Sequence, residues 1–144
     1  MLTQNEQTVV TTCDRRRLRQ MIDALCASLP ASGEPYGSYL RALDARLSRM
    51  ATVERDEVNN DVVTMNSKVT VRELDSERRQ ELTLVYATDA DPFGEKVSVL
   101  TPLGAELLGS RIGDVIEWQT RRGPRRVRIE EIVFQPEAAG KFEL

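Results

Sequence analysis

Val99-Leu-Thr-Pro-Leu-Gly-Ala-Glu-Leu-Leu-Gly109 carries the signals of one short helix. Thr101 supplies an N-cap oxygen, Pro102 takes the first turn, where a missing N–H does no harm, and Gly109 stops the helix. On both sides the apolar period is that of strands. Val69-Thr-Val71 alternates through Leu74, Leu82-Thr-Leu84 continues through Tyr86, and Val97-Ser-Val99 follows the turn Asp91-Pro-Phe-Gly94. Beyond the helix come Val115 to Trp118 and, after Gly123-Pro124, Val127-Arg-Ile129 running towards Phe134. Five strands and one helix predict an α+β domain with the helix laid across a bent, mainly antiparallel sheet.

Towards the N-terminus the period changes to that of helices. Leu18, Met21, Ile22, Leu25, Cys26 and Leu29 form one stripe, with Thr12 or Asp14 as N-cap. Pro30-Ala-Ser-Gly-Glu-Pro35 breaks it, and Tyr36, Tyr39, Leu40, Leu43, Leu47 and Met50 form a second stripe. Two helices of about 16 residues joined by a short turn read as an antiparallel hairpin about 24 Å long. Its seam is narrow, so it needs the sheet domain or a partner to support it. The expected division is a helical hairpin over 1–53, a connecting segment over 54–67 and the sheet domain over 68–144. Charge divides at the same place: residues 1–52 carry 7 basic and 5 acidic side chains, and residues 53–144 carry 13 and 18.

Composition excludes much chemistry. The 144 residues, 40% hydrophobic and 30% charged, suit one small domain with an appended arm. No apolar run approaches the roughly 20 residues that span a bilayer, and Met1-Leu-Thr-Gln-Asn-Glu6 has no signal-peptide character, so a soluble cytoplasmic chain is expected. There is no histidine, which removes the Ser-His and Cys-His nucleophile arrangements. Cys13 and Cys26 are too few for a zinc site and, about 20 Å apart on one helix, too far for a disulfide. Cys26, on the apolar stripe, is expected to pack as a small hydrophobe, while Cys13 near the helix start could be reactive.

Asp89 and Asp91 beside Pro92 and Gly94 read as turn formers rather than a metal pair. Gly104, Gly109 and Gly113 flank a helix and form no phosphate loop. Trp118 reads as core or half-buried. Basic residues concentrate at Arg15–Arg17 with Arg19 and at Arg121–Arg128, without the interleaved aromatics of a nucleic-acid reader; either could meet an acidic protein surface. No catalytic constellation, metal site or cofactor site is visible, so the residues describe an interaction protein rather than an enzyme.

The segment Val99–Gly109, followed by Ile112-Gly-Asp114, resembles the C-terminal signature of the GreA/GreB family of transcript cleavage factors. Asp61-Val-Val-Thr-Met-Asn-Ser67 and Gln135-Pro-Glu-Ala-Ala-Gly140 are similar to the family's Rnk branch, the regulators of nucleoside diphosphate kinase. The resemblance covers residues 58–144 in sequence and the hairpin in layout. It implies an FKBP-like C-terminal domain, a coiled-coil arm, and docking on RNA polymerase near its secondary channel.

On that basis Thr101, Pro102, Gly104, Leu107 and Gly109 are the candidate polymerase-binding residues. In Gre factors, acids at the tip of a long hairpin help hold a magnesium ion and promote transcript cleavage. Here the tip, Ser32-Gly33-Glu34, offers one carboxylate on a much shorter arm, and Thr101 stands where the family has serine. The implied function is a transcription regulator that competes with Gre factors without stimulating cleavage, with no direct sequence-specific nucleic-acid contact. Direct binding of nucleoside diphosphate kinase is the alternative, and FKBP-like prolyl isomerase activity a more distant one.

Overall fold

The computed structural model describes residues 8–28, 36–91 and 95–141. Two short strands flank the arm: β1, Val9–Thr11, and β2, Ala51–Val53, pair in parallel with Val9 opposite Ala51 and Thr11 opposite Val53. Between them lie α1, Thr12–Ser28, and α2, Tyr36–Arg49. Neither strand is foreseen by the helical period before Val53, because three residues are too few to show an alternation. The helix start moves with them. The last residue of β1 caps α1, Thr11 Oγ1 accepting the Asp14 N–H at 3.0 Å, in place of the expected Thr12 or Asp14. The hairpin turn 30–35 and Leu29 lie outside the described residues.

The sheet domain follows the expected strands. β3 (Lys68–Glu73), β4 (Arg79–Val85), β5 (Lys96–Ser98), β6 (Val115–Thr120) and β7 (Gly123–Phe134) form one sheet in the order β5-β4-β3-β7-β6. All pairings are antiparallel except β4 with β5. Two register shifts between β3 and β7 bend the sheet. The helix α3, Pro102–Leu107, packs on its concave face against β5 and β6. The Asp91-Pro-Phe-Gly94 turn lies largely outside the described residues, although Asp91 and Lys96 exchange two backbone hydrogen bonds of 3.0 Å.

One hydrophobic core runs through arm and domain. Leu18, Ile22, Leu40, Leu43 and Leu47 of the arm join Val63, Met65, Leu107 and Leu108, and then Leu84, Ile116 and Ile129 of the sheet. The domain therefore supplies the support that the narrow helical seam needs. Val62 to Met65, expected as part of a connector, are buried; the Val63 N–H reaches Ser110 O at 2.8 Å and its carbonyl accepts the Gly109 N–H at 2.9 Å. Cys26 does not pack as the small hydrophobe expected of it, and the buried cysteine is Cys13. Cys26 is exposed, since α1 beyond Leu25 projects past the domain, whereas Cys13 is buried beside Arg55, whose Nη2 lies 2.5 Å from its sulfur.

Arm and domain also meet through buried polar groups. Asp14, 3% exposed, accepts the Met65 N–H at 3.1 Å through Oδ2. Burial raises its carboxyl from 3.8 to about 6, the Met65 N–H opposing and the nearby Glu137 carboxylate adding to the shift. Burial raises the Tyr86 phenol as well, and Arg17 lies beside it. Arg46 of α2 donates to Glu106 O at 3.2 Å and Leu108 O at 2.6 Å, capping the C-terminus of α3. Arg15 of α1 does the same for α2, donating to Leu47 O at 3.1 Å and Met50 O at 3.3 Å.

Candidate docking surface

The α3 corner is built by local chemistry. Thr101 Oγ1 accepts the Gly104 N–H at 3.1 Å and donates to Ser98 O at 2.8 Å, which ties the helix start to the end of β5. Pro102 follows at the first helical position and is exposed, with Thr101 and Leu103 half-buried beside it. The other three candidates face inwards. Leu107 is fully buried, and a Cβ on Gly104 would sit 1.9 Å from Ser98 O. Gly109 has φ +81°, and a Cβ there would meet Met50 Cε at 2.4 Å and Val9 O at 2.9 Å. Gly104, Leu107 and Gly109 thus shape the corner, and Thr101 and Pro102 present it.

Beside this corner the concave face opens into a groove of about 820 Å³. A helix of 6 residues cannot cover a five-stranded sheet, so the far end of the face remains open. Val71, Leu82 and Val127 form its floor, with Leu103 and Trp118 on the walls. Trp118 is half-buried, and the Arg125 guanidinium lies 5.7 Å from its ring centroid. Glu73 positions that guanidinium, accepting from Arg125 Nε at 2.7 Å. The Ser76 hydroxyl, at 2.6 Å, and then Arg125 hold the Glu73 carboxyl below its ordinary range.

The sheet brings together arginines that the sequence leaves apart. Antiparallel pairing puts the β3–β4 turn and the β6–β7 turn at one end, Leu74 N–H bonding to Arg126 O at 3.0 Å. Arg78 and Arg79 therefore join the group Arg121–Arg128, although more than forty positions separate them. Glu130 accepts from both Arg72, at 2.6 Å, and Arg79, at 2.9 Å; its carboxyl is lowered, chiefly by Arg72. Reading the chain linearly misses Arg72, Arg78 and Arg79; their proximity is a product of strand order.

The remaining sequence candidates divide simply. Arg15 and Arg19 of the N-terminal patch are used inside the arm, Arg19 pairing with Asp44 and bonding to Ser48 Oγ at 3.1 Å. The tip residues Ser32, Gly33 and Glu34 lie outside the described residues. Asp89 ends a single 3-10 turn, Ala87–Asp89, and Asp91 lies just beyond it. Among the described residues no group of three His, Cys, Asp or Glu side chains could hold a metal ion, and no helix is long and apolar enough to cross a membrane.

Residues 58–134 match the family described as transcription elongation factor, GreA/GreB, C-terminal. The chain is 37% identical to the regulator of nucleoside diphosphate kinase of Escherichia coli strain K12, over 87% of this chain and 90% of that protein. It is 33% identical to the transcription elongation factor GreA of Alkaliphilus oremlandii, over 65% of this chain and 58% of that longer protein. Among solved structures, a prokaryotic transcription elongation factor GreA/GreB from Nitrosomonas europaea superposes with a TM-score of 0.70 at 38% identity, covering 89% of this chain and 98% of that one.

Proposed function

This chain belongs to the GreA/GreB transcription elongation factor family, and from that premise we propose that it binds RNA polymerase near the secondary channel and competes there with Gre factors without stimulating transcript cleavage. The observation that carries the reading is the α3 corner. Its strand end, Thr101 cap and Pro102 lie within the family-matched residues, and Pro102 stands exposed beside the open groove. The arm supports the second half of the proposal. With 17 residues in α1 and 14 in α2 it extends about 25 Å and 21 Å along the two helices, and its turn carries one carboxylate, Glu34. A shared divalent ion needs more than one such ligand from an arm that reaches it.

Titration of core RNA polymerase with the purified protein, with and without a Gre factor, tests the reading. Competitive binding is expected, with no increase in transcript cleavage. Pro102→Asp, which changes an exposed side chain, should weaken binding at least about tenfold while the far-UV and near-UV spectra stay native. Unchanged binding by that folded variant overturns the docking surface. The similarity to the Escherichia coli regulator favours a second reading, direct binding of nucleoside diphosphate kinase. Complex formation between the two purified proteins, in the absence of polymerase binding, would put that reading first.

A further inference from the structure

We infer that the arginine-rich end of the sheet makes the docking surface selective for an acidic polypeptide segment, one that lays an apolar side chain in the groove and its carboxylates against Arg78, Arg121 and Arg122. The inference rests on the docking reading above and names the chemistry of the partner element. Charge at this end is unevenly used. Glu130 engages Arg72 and Arg79, Glu73 engages Arg125, and Asp75 stands 3.7 Å from Arg126. Arg121 and Arg122 are exposed and, among the described residues, have no carboxylate within ion-pair distance; Arg78, also exposed, acts on Glu73 from outside that distance and helps to lower its carboxyl.

Their placement relative to the groove gives the charge a direction. Arg78 lines the groove itself, and the turn bearing Arg121 and Arg122 directly joins the strand of Trp118 to that of Arg125. The three cations thus stand at one end of a trough whose floor is Val71, Leu82 and Val127 and whose other end is the Thr101 corner. A segment lying in the trough meets an apolar floor, charged walls in which Glu73 and Glu81 are already paired with Arg125 and Lys68, and at its end arginines that no ion pair among the described residues engages.

The same features disfavour a nucleic acid. Single strands are held by bases stacked on open aromatic faces, and the one ring among the described residues of the groove, Trp118, already has Arg125 over it. An apolar floor has aliphatic side chains to receive and no use for phosphates. Arg128 supplies an internal control. It is equally exposed and has no ion-paired carboxylate among the described residues, but it alternates with Val127 and Ile129 and so stands on the opposite face of the sheet.

The test is a titration of nucleic-acid-free core RNA polymerase at two ionic strengths with the full chain and three variants. Arg121→Gln with Arg122→Gln removes two charges, and Arg128→Glu changes net charge by the same amount on the other face. The double variant should bind roughly tenfold more weakly at low salt and with a shallower salt dependence, Arg128→Glu should stay within about twofold of wild type, and Pro102→Asp should bind weakly at both. A double variant that binds like wild type while Pro102→Asp is still impaired overturns the acidic-segment inference and leaves the docking reading standing. No binding by wild type removes both. Binding of a labelled single-stranded RNA that the double variant loses would assign the arginines to phosphates and overturn the inference in that direction.

Discussion

Arginine serves opposite purposes at the two ends of this molecule. At the base of the arm it is structural: Arg15 closes the carbonyls at the end of α2, Arg46 closes those at the end of α3, and Arg19 pairs with Asp44 along the helical seam. At the far end of the sheet, Arg78, Arg121 and Arg122 project from two turns without an ion-paired carboxylate among the described residues. A guanidinium near a helix C-terminus completes hydrogen bonds that the fold itself leaves open. One in a turn beside an open groove, as Arg121 and Arg122 are, completes no ion pair among the described residues. Basic composition alone would rank the two regions together, and their partners separate them.

The contrast can be broken most severely where arm, helix and sheet share a core. Leu107→Asp should cost more than about 4 kcal/mol and abolish cooperative unfolding, because an unpaired carboxylate would enter a fully buried site. Loss of polymerase binding in that variant would therefore report unfolding, not docking. The next effect is the pH dependence of the arm joint. Asp14 binds its proton more tightly in the folded chain, at about 6, than in the unfolded chain, at 3.8. Its contribution is fully present below pH 3.8 and is lost as pH rises through 6. Relative to Asp14→Asn, wild type should lose on the order of 3 kcal/mol across that window, measured by urea unfolding at pH 4 and 7.

Smaller changes sharpen the contrast between the two kinds of arginine. Arg46→Met should destabilise by about 2 kcal/mol, since the last carbonyls of α3 lose their donor. Burial already lowers the Arg46 pKa, so the site receives a charge at some cost and retains it for its hydrogen bonds. Arg122→Gln, at the exposed turn, should shift stability by less than about 0.5 kcal/mol in the same assay. If Arg46 and Arg122 gave equal effects, the division between structural and free arginines would fail.

The sheet domain was legible because its signals are local and redundant. Alternating Val and Leu, a Thr-Pro helix start and a Gly stop each announce themselves within a few residues, and α3 falls where Thr101 and Gly109 put it. The stripe Leu18, Met21, Ile22 and Leu25 likewise marks α1. It misleads at Cys26, because a helical period does not say where the supporting surface ends. β1 and β2 escaped notice for another reason: three residues carry no period, and their pairing spans the whole arm. The proposed docking surface was half legible. Thr101-Pro102 stands in one motif, whereas the groove and its arginine end exist only once strand order brings residues near 78 and 122 together.

The parallel pair β1–β2 has a further consequence. It holds Val9 beside Ala51 and Thr11 beside Val53 in two strands about 5 Å apart, and because the pair is parallel the arm leaves at Thr11, one end of the ladder, and re-enters at Ala51, the other. Near these strands the arm is tied to the domain, since Leu18, Ile22, Leu40, Leu43 and Leu47 share its core and Arg46 caps α3; only beyond those residues could hairpin length be added with the sheet, the groove and the α3 corner unchanged. Reach and grip are then separate inheritances in this architecture: one can be lengthened, shortened or re-tipped while the other stays as it is.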